Sequence, residues 1–143
     1  MPTTAPSPTL LLVAAVALID GQGRVLLAQR PDGKQMAGLW EFPGGKIETG
    51  ETPEAALIRE VAEELAITLD SAALSPLTFA SHGYDGFHLL MPLFACRRWS
   101  GEPRAVEAAR LAWVGADELD ALPMPPADIP LIAPIRRLLA ETA

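Results

Sequence analysis

The stretch EFPGGKIETGETPEAALIREVAEEL, residues 41–65, constrains this chain more than any other. Pro43, Gly44, Gly45 and Gly50 interrupt any regular element, so its first half reads as an irregular loop. Thr52 then offers an N-cap side chain, Pro53 suits the first helical position, and Glu54 meets the positive end of the helix dipole. At about 100° per residue, Glu60, Glu63 and Glu64 fall within an arc of about 100°, with Ile58, Val61, Ala62 and Leu65 expected on the opposite side. A glycine loop therefore runs into an amphipathic helix with one face to pack and one face of carboxylates.

A Glu-rich helical face is ordinarily solvated surface. Here Glu60 and Glu64 form a like-charge i,i+4 pair, destabilising by a few tenths of a kcal/mol at about the level such pairs show, and Arg59 is the cation nearby in sequence. Uncompensated acids invite a cation. Hard dications are held by carboxylate and carbonyl oxygens plus water, and the glycine loop is expected to bring a backbone carbonyl and Glu51 to the same place.

The rest of the chain reads as alternating strand-length and loop segments. TLLLVAAVALID and RVLLAQR are apolar runs joined by Asp20-Gly21-Gln22-Gly23, which predicts an antiparallel hairpin. LSPLTFASHGYDGFHLLMPLFACRRWSGEP predicts two or three strands with a turn at Gly83 to Gly86. ARLAWVGADEL predicts a strand leading into a turn or short helix. PMPPADIP is a proline-laden loop, and LIAPIRRLLAE predicts a closing helix bent or begun at Pro134.

With 143 residues the chain is expected to form one domain over residues 9–143, preceded by a loose Pro/Ser/Thr-rich tail at residues 1–8. The formal net charge of −7 opposes a broad nucleic-acid or anionic-membrane surface, and the paired arginines of RRW and IRRLL are too short to make one. Leu10 to Ile19 is too short for an ordinary membrane span and lacks a basic leader, so it reads as a buried strand in a cytoplasmic protein. Cys96 is the only cysteine, which excludes an internal disulfide; it is expected to be a buried small hydrophobe. His82 and His88 show no metal-ligand spacing, and Trp40, Trp99 and Trp113 are assigned to packing.

Gly45, five residues, Glu51, seven residues, then REVAEELAI from Arg59 to Ile67 closely resembles the Nudix box, matching eight of its nine specified positions. The departure is Ala66, where the pattern has Gly. A left-handed helix terminus there would cost Ala on the order of 1 kcal/mol, unless the helix ends a residue or two away. GLWEFPGGKIETGETPEAALIRE, WSGEP and PPADIPLIAPIRRL extend the resemblance to the MutT branch of Nudix hydrolases, which sanitise oxidised guanine nucleotides.

That resemblance implies an α/β (α+β) Nudix fold, a mixed β-sheet between helices with the box as a loop-helix-loop. It also implies a hydrolase dependent on Mg²⁺, or Mn²⁺ in its place, with a small nucleotide substrate; for the assembly, the sequence leaves a monomer and a homodimer both open. Glu60, Glu63 and Glu64 match the metal-binding positions, with the Gly44 carbonyl as a further ligand. Arg59 would orient the carboxylates, and Glu107 falls where the branch has an additional acid that binds metal or activates water. For substrate, Arg30 matches a nucleotide-binding arginine and Phe42 an aromatic near the base, with Gly45 and Lys46 in the same substrate-binding set. Asp128 stands where the branch carries a base-reading Asn; an ionised Asp only accepts hydrogen bonds, whereas Asn also donates. The implied reaction is attack at the β-phosphorus of a nucleoside triphosphate, foremost oxidised dGTP, giving nucleoside monophosphate and pyrophosphate. The alternatives are a pyrimidine triphosphate such as CTP, an ADP-ribose-like substrate, or a catalytically silent binding module.

Overall fold

The computed structural model describes residues 9–141; the tail expected at residues 1–8 lies outside them. In chain order the strands are β1 Thr9–Leu18, β2 Val25–Gln29, β3 Trp40–Glu41 and β4 Gly44–Lys46, followed by the helix α1 Pro53–Leu65. Next come β5 Thr68–Leu69, β6 Ser75–Tyr84, β7 Phe87–Cys96, β8 Trp99–Ser100, β9 Arg110–Val114 and the helix α2 Ile132–Glu141.

β1 is the organising strand. It pairs in parallel with β7 and antiparallel with β4, in a mixed sheet of order β4-β1-β7-β6. A second, antiparallel sheet runs β3-β2-β9, and β5 pairs with β8. Residues Ala14 to Leu18 are all buried because both faces of β1 are covered, which is why the run reads as continuously apolar rather than alternating. Ala14, Val16 and Leu18 join Leu57, Val61 and Leu65 of α1, whereas Ala15, Ala17 and Ile19 join Ile135 and Leu139 of α2. The mixed sheet is thus held between the two helices, as the Nudix resemblance implies.

The expected β1–β2 hairpin is half right. Its turn forms, with the Asp20 carboxylate accepting the Gln22 and Arg24 N–H groups at 2.9 Å. The pairing stops at a single bridge, Ile19 to Val25, after which β2 enters the other sheet. The edge of β1 that β2 would need is taken by Gly44–Lys46 and by the Pro43 carbonyl, which accepts the Val16 N–H at 2.9 Å. The β6–β7 hairpin does form, but the strands run to Tyr84 and resume at Phe87, so Gly83 lies in a strand and Asp85-Gly86 alone make the turn. Gly86 carries the required positive φ of 88°.

In α1 the Thr52 hydroxyl accepts the Ala55 N–H at 3.1 Å, as the cap signal implied. The packed face differs from expectation. Val61 and Leu65 are buried as expected and Ile58 is half-buried against the same cluster, but Ala56 and Leu57 join them and Ala62 is exposed. In 100° steps Glu60 and Glu64 fall between Ala56 and Leu57, on the flank of this packed face rather than opposite it. Two acids are consequently driven toward the protein interior.

Ala66 adopts φ 60° and ψ 35°, and its N–H donates to the Ala62 carbonyl at 3.1 Å. The left-handed terminus is retained without glycine. Ala66→Gly is therefore expected to stabilise the protein by about 0.5–1 kcal/mol, read as a higher denaturation midpoint in urea at unchanged slope. At the other end, α2 starts at Ile132, directly after a 3₁₀ turn at Ile129–Leu131, so Pro134 lies in its first turn, where a missing N–H is harmless. The tryptophans pack as expected: Trp99 and Trp113 stack at 6.1 Å, and Trp40 is buried beneath the Arg110 guanidinium. Cys96 is buried and its thiol faces the Arg98 carbonyl at 3.2 Å. No helix among the described residues is long and apolar enough to cross a membrane.

Candidate active site

The flank of α1 that carries Glu60 and Glu64 faces β3, β4 and the loop between them. A cavity of about 580 Å³ opens there, with apolar walls that include Val13 and Met91 and with Arg30, Phe42, Glu64 and Asp128 among its polar and aromatic lining. Gly44, Gly45 and Lys46 also border it. A second cavity of about 470 Å³ is lined by Arg30, Lys34, Glu41, Glu64 and Glu107. Arg30, Glu41 and Glu64 belong to both, so the two form one cleft with a charged waist.

Arg59 organises one side of this cleft. Its Nε and Nη2 donate to both carboxylate oxygens of Glu51 at 2.8 Å, its Nη1 donates to Glu60 at 2.8 Å, and Nη2 also reaches the Lys46 carbonyl at 3.1 Å. Glu63 lies farther away, 3.8 Å from Nη1, and is more than half exposed. The Arg59 guanidinium holds the Glu51 carboxyl down at about 2, helped by the Glu48 N–H. Glu51, expected to share the cation's place, is instead committed to Arg59 and the Glu48 backbone. It tethers the glycine loop to α1.

Glu64 is in the opposite situation. Burial, reinforced by Glu41, Glu60 and Glu107, pushes its carboxyl up to about 8 against a lowering contribution from the Gly44 N–H. Four carboxyl groups thus act on one small volume. Among the described residues no three His, Cys, Asp or Glu side chains converge into a ready-made coordination sphere, since Glu60 is turned toward Arg59. The oxygen-rich donor set and its excess negative charge nevertheless suit a hard dication. The loop is also shaped for it: a Cβ at Gly45 would overlap the Glu60 carboxyl, and one at Gly44 would overlap the Ala14 carbonyl. Both positions need glycine for close approach rather than for positive φ.

At the waist, Arg30 Nη1 contacts both Glu41 oxygens at 3.1 Å and Nε donates to the Gln35 carbonyl at 2.7 Å. Asp128 is 5% exposed, and its carboxylate accepts the Phe42 N–H at 3.2 Å. It precedes the 3₁₀ turn at Ile129–Leu131 but makes no cap bond, so its side chain is turned into the cavity instead. Burial raises its carboxyl to about 7, with Glu41 adding to the rise and the Phe42 N–H and Arg30 opposing it. Phe42 serves twice, in the core and in the cavity wall.

Residues 14–134 match the NUDIX domain. The chain belongs to the NUDIX domain family. It is a MutT-like Nudix hydrolase, similar to the 8-oxo-dGTP diphosphatase of Escherichia coli (strain K12) at 36% identity over 89% of this chain and 98% of the relative. It is also similar to the CTP pyrophosphohydrolase of the same organism, at 37% identity over 91% of this chain and 95% of the relative. Among solved structures, the E. coli ORF135 protein superposes with a TM-score of 0.82 at 33% identity, covering 96% of this chain and 97% of that one. The MutT NUDIX hydrolase from Burkholderia pseudomallei gives 0.78 at 32%, covering 87% and 97%.

Within this Nudix hydrolase, the fold gathers Arg30, Phe42, Gly44, Gly45, Lys46, Glu64 and Asp128 at one cavity, and Glu107 joins them through the second. Glu60 is brought in beside Gly45. Sequence reasoning missed Glu41 and Tyr84. Glu41 carried a signal, an acid between two large aromatics at Trp40 and Phe42, which implies a buried carboxylate needing a partner. The His82 ring meets Tyr84 edge-on, and His88 Nε2 is hydrogen-bonded to the Ser81 hydroxyl at 2.7 Å.

Proposed function

We propose that this Nudix hydrolase converts nucleoside triphosphates to nucleoside monophosphates and pyrophosphate, with oxidised dGTP as the preferred substrate. The observation that carries this reading is the continuity of the cleft: a buried carboxylate, Asp128, stands at one part of the same cavity that Glu64 borders at another. A cavity of about 580 Å³ with apolar walls and few polar groups is of a size that suits a nucleoside, leaving the acidic side for the phosphates. The two similar E. coli proteins, named for 8-oxo-dGTP and for CTP, support a triphosphate substrate and leave CTP as the second reading.

Glu60, Glu63, Glu64, Glu107 and the Gly44 carbonyl would hold Mg²⁺ or Mn²⁺. When bound, the dication offsets the charge of the phosphate oxygens and makes a nearby water more acidic. The chain's own residues supply the remainder. Arg59 fixes the Glu60 carboxylate and, through Glu51, the glycine loop. Arg30, with Gly45 and Lys46, orients the phosphates and sugar, while Phe42 and Asp128 receive the base. One of Glu60, Glu63 or Glu107 takes the proton of the attacking water. As the water oxygen bonds to the β-phosphorus, the bond from that phosphorus to the α,β-bridging oxygen breaks. The bridging oxygen leaves with the monophosphate, and the water oxygen stays in pyrophosphate.

A panel of nucleotides assayed for pyrophosphate release tests the substrate. Oxidised dGTP is expected to give the highest kcat/KM; a preference for CTP or an ADP-ribose-like compound would overturn that choice. Gly45→Ala tests the geometry. Its Cβ forces the flexible Glu60 side chain aside, so kcat is expected to fall about 10- to 100-fold, the scale of an ångström-level misplacement, with the fold retained. Gly44→Ala meets backbone instead and is expected to destabilise by about 1–3 kcal/mol in thermal melts.

A further inference from the structure

Tyr84 ends β6, with its ring stacked on Phe87 at 5.2 Å and 24° and met edge-on by His82 at 4.7 Å. Those contacts fix the ring. Its hydroxyl accepts the Ala127 N–H at 3.1 Å. Ala127 is buried and immediately precedes Asp128, whose own N–H donates to the Pro125 carbonyl at 3.0 Å, closing a tight turn over Pro125–Asp128.

That turn is tethered from two directions. On the β3 side, the Pro123 carbonyl accepts the Trp40 N–H at 2.7 Å and the Asp128 carboxylate accepts the Phe42 N–H. On the β6–β7 side, the tether is the Tyr84 hydroxyl. Tyr84 and Asp128 line the same cavity. A phenylalanine at position 84 would keep the stacking and lose the acceptor, leaving a buried N–H next to Asp128 unsatisfied.

We propose that Tyr84 is a positioning residue that pins the 125–128 turn to the β6–β7 hairpin and so fixes where Asp128 meets the base. The inference rests on the reading that Asp128 meets the base. Tyr84 acts on base selection through Asp128 and takes no part in phosphate chemistry.

The test compares Tyr84→Phe, Asp128→Ala and the double variant on oxidised dGTP, on CTP and on a ribose triphosphate that carries no base. In Tyr84→Phe, KM for the preferred nucleotide is expected to rise about 5- to 20-fold with kcat within about twofold, and the kcat/KM ratio between the two nucleotides to shrink toward that of Asp128→Ala. The base-free triphosphate is expected to react equally with wild type and Tyr84→Phe, and the double variant to lose nothing beyond Asp128→Ala. Tyr84→Phe slowing the base-free compound as much as the nucleotides, or adding its loss in full to that of Asp128→Ala, would overturn the proposal. If Tyr84→Phe leaves the base ratio unchanged while Asp128→Ala collapses it, the role of Tyr84 fails alone. If Asp128→Ala leaves the ratio unchanged, the base-reading assignment fails and the inference falls with it.

Discussion

Glu64→Gln is expected to lower nucleotide hydrolysis by about a thousandfold while raising the melting temperature at neutral pH. The two effects come from one cause. Burial, with Glu41, Glu60 and Glu107 close by, lifts the Glu64 carboxyl from its ordinary 4.5 to about 8. A group whose folded pKa is raised contributes its stability fully below the unfolded value and loses it as pH climbs through the folded one. The glutamine variant should therefore match wild type below pH 4.5, gain on it progressively toward pH 8, and be ahead on the order of 2 kcal/mol at pH 7. In a chain of this size that is a rise of about 5 °C. Thermal melts across pH 4 to 8 check the trend, and pyrophosphate release checks the loss. Glu63, more than half exposed, should show the activity loss with a much smaller stability gain. A fall in stability for Glu64→Gln would mean the carboxylate is part of a structural network rather than held for a ligand.

Asp128→Asn is expected to remove a pH dependence of base selection. With its carboxyl at about 7, Asp128 passes between two hydrogen-bonding states near neutrality. Protonated, it both donates and accepts; ionised, it only accepts. Unmodified guanine presents acceptors at O6 and N7, which an ionised carboxylate repels, whereas oxidised guanine presents an N7 hydrogen. The ratio of kcat/KM for oxidised dGTP over dGTP is therefore expected to rise between pH 6 and 8 in wild type, by about tenfold for one charge-dependent hydrogen bond, and to stay flat in Asp128→Asn. Stability follows the same sign as for Glu64: the penalty sets in above the unfolded value of 3.8 and is complete past about 7. The Asn variant should be more stable on the order of 3 kcal/mol at pH 8, and equal below pH 4. Equal pH profiles for the base ratio in wild type and variant would show that Asp128 does not read the base.

The motif was legible because its parts are local. The Thr52 cap, the Pro53 start and the spacing from Gly45 to Glu64 are fixed by adjacent residues, and the resulting geometry follows the helix period. What was not legible depends on partners distant in sequence. The fate of β2 turned on β4 and Pro43 occupying the edge of β1, 20 or more residues away from the turn that suggested a hairpin. The interior tilt of Glu60 and Glu64 depended on where the packed stripe of α1 is centred: it takes in Ala56 and Leu57 beside the expected Val61 and Leu65, and leaves out Ala62. Asp128 stood at a position where Asp ordinarily caps a helix; a contact with Phe42, 86 residues earlier, redirects it. The polar partners of Glu41 and Tyr84 are also distant, Arg30 eleven residues before the one and Ala127 forty-three after the other, so the place of each in the cleft shows only once the chain is folded.

If the acidic flank of α1 and its glycine loop hold a hard dication against a polyphosphate, the carboxylates of Glu60, Glu63 and Glu64 govern metal affinity. Paramagnetic titration with Mn²⁺, in the presence of a non-hydrolysable nucleoside triphosphate, measures this directly in wild type and in a variant with Glu60, Glu63 and Glu64 all changed to Gln. Tight Mn²⁺ binding in wild type that weakens at least about a hundredfold in the variant is the expected result. Equal Mn²⁺ affinity in both, with the variant folded, would contradict it.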